Sequence, residues 1–372
     1  MSESNLSKDK LDYAAAGVDT EAGEHAVELM RASIAKATRP EVVGDFGGFA
    51  GLFDVSALKN YNNPLLATST DGVGTKIDVA QRMDVHDTIG LDLVAMVVDD
   101  LVVCGAEPLF MTDYIAVGKV NPTKVAAIVT GIANGCVIAG CALVGGETAE
   151  HPGLLGADDY DIAGAGTGVV DADKLIGPDR VIAGDIAIAI GSSGLHSNGY
   201  SLARHIAFNV AKLDVHNQVA EFGRTLGEEL LEPTQIYAKD ILNLIKSIEV
   251  HSISHITGGG IAANVARVLP SGLAFDLERE TWSPQPIFTW LQSVGNLAQL
   301  DAEKTFNMGI GMLAFVPAGQ AQLAITAIQA AGLSAWECGV VRSRKENEIG
   351  DSPAKGGNGG AVTLVSSYRK SS

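Results

Sequence analysis

Aromatic side chains make up only 5% of this sequence, and only four of its 372 residues are cysteine. Cys104, Cys136, Cys141 and Cys338 form no C-x-x-C pair, which argues against a zinc ribbon or a disulfide scaffold and leaves them as small apolar residues for a core. No apolar run reaches the roughly 20 residues of a membrane-spanning helix. The opening MSESNLSKDKLDY has no apolar core of the secretory kind, so a cytoplasmic location is expected. Basic residues are also scarce: 26 Lys and Arg face 44 Asp and Glu, a net charge of −18. Binding a nucleic-acid backbone or an anionic membrane needs clustered cations, so neither is an expected partner.

What the sequence does have is glycine, 43 residues of it against the roughly 26 that ordinary usage of about 7% would give. Glycine turns and helix N-termini hold small phosphates through backbone N–H groups, without net positive charge. The length suits two domains, and 47% hydrophobic residues can fill their cores. Periodicity predicts a helix in EAGEHAVELMRASIAKA, a strand over 64–70 ending at DGVGT, a helix over 86–103, a strand in LFMTDYIAV and a helix from Pro122 to about Gly140. A short strand ALVGG ending in a turn and a strand in DYDIAGAGTGVV follow. The second half repeats this pattern with the strand DIAIAIG, the helix SLARHIAFNV, the helix IAANVARVL after HITGGG, and the strand MGIGMLAFVP. The alternation predicts an α/β (α+β) fold. Polar DADKLIGPDRVIAG sets the expected division at 1–172 and 173–350, with 351–372 a partly disordered tail around one short strand.

Three stretches carry candidate chemistry. In TSTDGVGTKID a strand delivers Asp71, Gly72, Gly74, Thr75 and Lys76 into one turn: a hard oxygen for Mg²⁺, a backbone open to an anion, and a point positive charge. A plain strand-to-loop turn remains the simpler account of these residues alone. Asp99 and Asp100 stand near a helix C-terminus, where the macrodipole disfavours acids unless a cation is near, with Asp92 two turns earlier. Glu147 follows Gly145 and Gly146, and alone it reads as a surface turn. In the second half SSGLHSNG and HITGGG lead into helices, as anion sites or simply as caps.

Together YAAAGVDTEAG, FGGFAGLFDV, TSTDGVGTKID, HDTIGLDLVAMVVDDLVVCGAEPLFMTDYIAVGK, GCALVGGETAEHPG, SSGLHSNGYSL, EPTQIY, HITGGGIAANVARVLP and FNMGIGM resemble, in order, the phosphoribosylformylglycinamidine cyclo-ligase (aminoimidazole ribonucleotide synthetase) family, from Tyr13 to Arg342. The resemblance implies an N-terminal domain that forms a β-barrel across a homodimer and a C-terminal α/β domain with a mixed sheet. It implies ATP and Mg²⁺ as cofactors, a small ribonucleotide as substrate, and ATP-dependent closure of an imidazole ring.

Carried onto this chain, it makes Asp71, Lys76 and His196 catalytic candidates and Asp71, Asp100 and Glu147 metal candidates. Gly47, Gly48, Gly51, Gly72, Gly74, Thr75, Lys76, Gly145 and Gly146 would surround the nucleotide. Ser193, Gly194, His196, Ser197 and Asn198 with Thr257, Gly258, Gly259 and Gly260 would hold the substrate. The family commonly has Asn where this chain has Asp99, so either Asp99 or Asp100 is a ligand on sequence grounds. A thiamine-monophosphate kinase relative or a non-catalytic nucleotide-binding protein is the alternative. The first would lack the SSGLHSNGYSL and HITGGG blocks, and the second would be expected to lose the acids.

Overall fold

The computed structural model describes residues 20–44 and 47–370. Residues 1–19, Asp45 and Phe46 within the glycine loop, and the last two residues lie outside it, together with the parts of the domain and tail readings that fall there. After helix α1 (Thr20–Lys36), the first half contributes β1 (Pro64–Gly72), α2 (Asp87–Val102), β2 (Glu107–Val117), α3 (Pro122–Ala139), β3 (Ala142–Glu150) and β4 (Tyr160–Asp171). The strands form one sheet in the order β1-β4-β2-β3. Strands β2 and β3 run parallel because α3 crosses between them, and the other pairs are antiparallel. Asn121 caps α3 by accepting from the Lys124 N–H, Pro122 opens its first turn, and Gly140 ends it in the left-handed conformation. By length and composition α3 could cross a membrane, but half of it is buried and it packs against α1 and α2.

Two sets of glycines fix the helix layer against the sheet. Strand β4 turns Gly164, Gly166 and Gly168 toward α2, and a Cβ on Gly166 would lie 2.7 Å from Val97. The missing side chains let α2 sit directly on the sheet and bring its C-terminal acids beside the end of β1. At the crossing of α2 and α3, a Cβ on Gly90 would lie 2.1 Å from the Ile132 backbone nitrogen. Among the described residues no helix lies on the opposite face of the sheet, and Leu66, Thr68, Ala163, Tyr114 and Glu147 are exposed there. One chain therefore shows a four-stranded sheet, not a closed barrel.

The second half contributes β5 (Ile186–Gly191), α4 (Tyr200–Arg204), α5 (Ala238–Ser247), β6 (Ser252–His255), α6 (Gly260–Arg267), β7 (Leu273–Glu278), β8 (Ile310–Val316), α7 (Ala321–Ala330), β9 (Ala335–Ser343) and β10 (Ala361–Val365). Its mixed sheet runs β6-β8-β5-β9-β7-β10, and the central β8 is buried at every residue, as an all-apolar strand should be.

Three expectations change. The ALVGG strand does not turn after its glycines but continues to Glu150, because each residue from Gly145 onward pairs with β2. The helix expected over 201–210 becomes a π turn from His205 to Val210. The expected tail belongs to the second domain: β10 pairs in parallel with β7, and the Arg369 N–H donates to the Trp282 carbonyl. Its apolar AVTLV covers what would otherwise be an open strand edge.

Candidate functional site

The end of β1, the end of α2 and two loops of the second domain meet in one cleft. Strand alternation turns Asp71 toward the helix layer, where its Oδ1 accepts from the Gly72 N–H at 2.7 Å. Burial, together with the nearby Asp100, raises the Asp71 pKa, while His255 and Lys355 pull it down. The Asp100 side chain is 45% exposed and its Oδ1 lies 2.8 Å from Nδ1 of the buried His255. Burial disfavours the His255 imidazolium, but the hydrogen bond and charge of Asp100, with Asp99 and Asp71 beyond, prevail and raise its pKa. Nε2 of His255 is buried without a partner.

Asp99 and Asp100 separate cleanly. Asp99 is fully buried and accepts from the Tyr237 N–H at 3.1 and 3.2 Å, capping α5 of the second domain, and its burial raises the pKa to about 7. The positive end of α5 meets it there. Only Asp100 faces the cleft.

The loops named in the sequence line the other wall. Asn198 Nδ2 donates to Met96 Sδ at 3.8 Å, one helical turn before Asp100, and Gly258 lies directly under the Asn198 amide. Thr75 Oγ1 and Ser201 Oγ are 3.3 Å apart, joining the turn after β1 to the start of α4. Asn264 Nδ2 donates to the Thr257 and Gly260 carbonyls at 3.0 and 2.8 Å, which fixes the loop through Gly259 before α6. Ser193 Oγ donates to the Pro233 carbonyl at 2.7 Å, Ser197 Oγ shares a 3.0 Å hydrogen bond with Thr234, and the Gly194 carbonyl accepts from Asn307.

Several sequence-based assignments need correction. Lys76 does not offer its charge to the cleft: it has no exposed surface, and Nζ donates to Asp92 at 2.8 Å, the His196 carbonyl at 3.1 Å and the Glu232 carbonyl at 2.6 Å. Asp92 also accepts from the Thr234 N–H and hydroxyl, so this pair binds the two halves together. His196 is buried in the left-handed conformation, and its Nε2 accepts from the Ser193 N–H at 3.3 Å. Burial, then the charges of His255 and Lys76, hold its pKa well below the usual value, so it shapes the loop as a neutral ring.

Glu147 does not join Asp71 within one chain. Register aligns Asp71, Gly164, Asp113 and Gly146 in one row across the sheet, and three strand spacings of ~4.8 Å put Glu147 roughly 14 Å away. Alternation also turns it to the opposite face. Gly145 and Gly146 lie on that edge strand with Gly51, whose missing Cβ would touch the Val144 carbonyl, while Gly47 and Gly48 belong to the same exposed loop. These glycines stand apart from Gly72 and Gly74.

One site residue, His255, and one acid of the sheet, Asp113, carried no local signal in the sequence. His255 could not be told from a packed histidine until β6 placed it beside Asp100. Asp113 sits between Gly164 and Gly146 in the row across the sheet, its carboxyl over Gly146, and burial raises its pKa to about 7.

Comparison with known proteins adds to the geometry. A model described as the N-terminal domain of AIR synthase related proteins matches residues 53–170, and its C-terminal counterpart matches 183–352. A phosphoribosylformylglycinamidine cyclo-ligase of Trichlorobacter lovleyi is 48% identical over 343 residues, covering 92% of this chain and 98% of the relative. One from Acetivibrio thermocellus is 50% identical over 334 residues, covering 90% and 98%. Among solved structures, the hydrogenase maturation protein HypE of E. coli superposes with a TM-score of 0.61 at 20% identity over 86% of this chain and 90% of that one. A thiamine-monophosphate kinase from Stenotrophomonas maltophilia gives 0.61 at 17% identity over 91% and 95%. At those identities the structural likeness shows the shared two-domain α/β fold alone.

Proposed function

Because this chain belongs to the phosphoribosylformylglycinamidine cyclo-ligase family, we propose that its reaction takes place in the cleft where Asp71 and Asp100 face the loops at 193–198 and 257–260. The reaction is the ATP-dependent cyclisation of formylglycinamidine ribonucleotide to aminoimidazole ribonucleotide, with release of ADP and phosphate, in purine biosynthesis. Chemically, the formamide oxygen takes the γ-phosphoryl group of ATP and becomes a good leaving group. An amidine nitrogen then attacks the same carbon, the ring closes and phosphate departs. Such chemistry asks the protein for positioning and charge neutralisation more than for covalent help.

The observation that carries this reading is the juxtaposition of Asp71, Asp100 and His255 at the mouth of the cleft. Asp71 and Asp100 repel each other in a partly buried place, which a cation would relieve, and both offer hard oxygens suited to Mg²⁺. Among the described residues no three acidic, imidazole or thiol groups form a metal cage. That fits an ion whose remaining positions are filled by phosphate oxygens and water. Bound there, Mg²⁺ would neutralise charge on the triphosphate. The exposed amides of Gly74 and Thr75 would approach the phosphates, and the Ser193–Asn198 and Thr257–Gly260 loops would hold the ribonucleotide.

For Glu147 and the Gly47–Gly51 loop we propose a role through a homodimer. The helix-free sheet face and the exposed edge residues Leu65 and Leu66 on β1 need a cover. A second copy would close the sheet into a barrel and carry its own Glu147 edge to that face. We place the enzyme in the cytoplasm.

Asp71→Asn and Asp100→Asn test the assignment by phosphate release dependent on both substrates. Each should lower kcat/KM by about 100-fold or more while the circular dichroism spectrum is unchanged. Turnover near that of the unaltered protein in both variants would remove the cleft from the chemistry.

A further inference from the structure

With Lys76 locked to Asp92, the acidic mouth of the cleft has no cation from the turn that follows β1. The positive charges acting on Asp71 come instead from His255, which Asp100 holds, and from Lys355. Lys355 lies in GDSPAKGGNGG, and it falls past residue 352, where the match to the C-terminal family model ends. It is exposed and makes no ion pair among the described residues.

The strap carrying it is firmly seated. The Lys355 N–H donates to the Ala263 carbonyl at 3.2 Å, in the first turn of α6, directly after the Thr257–Gly259 loop. The Gly360 N–H donates to Ala266 and Leu269 at 3.2 and 2.9 Å. A Cβ on Gly359 would lie 2.1 Å from the Ala266 carbonyl, so a side chain there would lift the strap off the helix. Immediately after Lys355, Gly356 and Gly357 have φ of 101° and 107°, which only glycine adopts readily. Backbone anchors on both sides thus fix where the Lys355 stem leaves the chain, beside the first turn of α6 that follows the Thr257–Gly259 loop. Beside Asp100 in the same cleft, Nε2 of His255 is buried without a hydrogen-bond partner.

We propose that the Ala354–Gly360 strap is an anion clasp on the second-domain wall, with Lys355 binding a phosphate of one of the two substrates opposite Asp71 and Asp100. This rests on the cleft being the reaction site. The shared chemistry is a phosphate oxygen, supplied either by the triphosphate of ATP or by the phosphoester of the ribonucleotide.

Calorimetric titration of Lys355→Gln with Mg²⁺ plus a non-hydrolysable ATP analogue, and separately with formylglycinamidine ribonucleotide, distinguishes these sources. One of the two dissociation constants should rise about fivefold or more. Lys355→Arg should restore it to within twofold, and added salt should narrow the gap between the unaltered protein and Lys355→Gln. Loss for the ATP analogue alone assigns Lys355 to the triphosphate, and loss for the ribonucleotide alone assigns it to the phosphoester. If both constants stay within twofold, the clasp is overturned. Asp100→Asn is measured in parallel. If it abolishes turnover while Lys355→Gln binds both ligands normally, the cleft stands and the clasp falls; if Asp71→Asn and Asp100→Asn both turn over normally, both fall.

Discussion

The acids of this chain have the same side-chain chemistry and different tasks, set by what each one faces. Asp92 meets a buried ammonium, Asp99 caps a helix, and Asp100 meets a half-open cleft. Asp113 makes none of these contacts. Burial raises its pKa to about 7, above the ~3.9 of an unfolded Asp, so the native state binds a proton more tightly than the unfolded chain does. Its penalty is therefore absent below about pH 4, grows as pH rises through that interval and is complete above about pH 7. Asp113→Asn should raise the melting temperature by a few degrees at pH 8 and leave it nearly unchanged at pH 4, as read by differential scanning calorimetry. An equal shift at both values would mean that the carboxylate is not being desolvated.

At the scale of elements, α2 connects the two halves. Its inward face rests on the glycine row of β4, and its acids reach into the second domain through Lys76, Thr234 and Tyr237. Removing one member of a buried pair leaves the other charge uncompensated, at about 3–5 kcal/mol. Lys76→Met should therefore lower unfolding free energy by about that amount in urea, with KM for ATP little changed in the protein that remains folded. A stable variant with a large KM defect would return Lys76 to the phosphate site. Gly90→Ala tests the crossing with α3, where the added methyl would meet backbone at 2.1 Å. A loss of about 1–3 kcal/mol is expected from overpacking, and an unchanged urea midpoint would show that the two helices can separate freely there.

At the scale of the whole molecule, the sheet of the first half leaves one face and its β1 edge uncovered among the described residues, while in the second half β10 pairs along the β7 edge. The proposed homodimer follows from that asymmetry. Leu66 is 65% exposed on this face. Leu66→Asp should convert the sedimenting species to monomer and reduce turnover with it. A variant that stays dimeric would move the interface elsewhere, and a fully active monomer would show that Glu147 serves no second subunit.

Hydrophobic period, glycine position and caps are local properties, and they determined the strands of the first half, those at 186–191 and 310–316, the helices at 20–36, 87–102 and 122–139, and the two-domain α/β order from the sequence by itself, while the strands at 252–255, 273–278 and 335–343 went unread. Asp71 and the loops at 193–198 and 257–260 stood out for the same reason, because each stands at the end of an element, whereas the sequence left Asp99 and Asp100 undivided until the fold buried the first and exposed the second. Tertiary structure alone decided which charges meet. Lys76 and Glu147 sit in turn-like or glycine-flanked segments as suggestive as that of Asp71, yet one is buried against α2 and the other turned to the far face three strands away. His255 and Lys355, unremarkable in sequence, reach Asp71 from elements more than 180 residues away along the chain. Electrostatic partnership depends on distance through space and on burial, and neither is encoded by spacing along the chain.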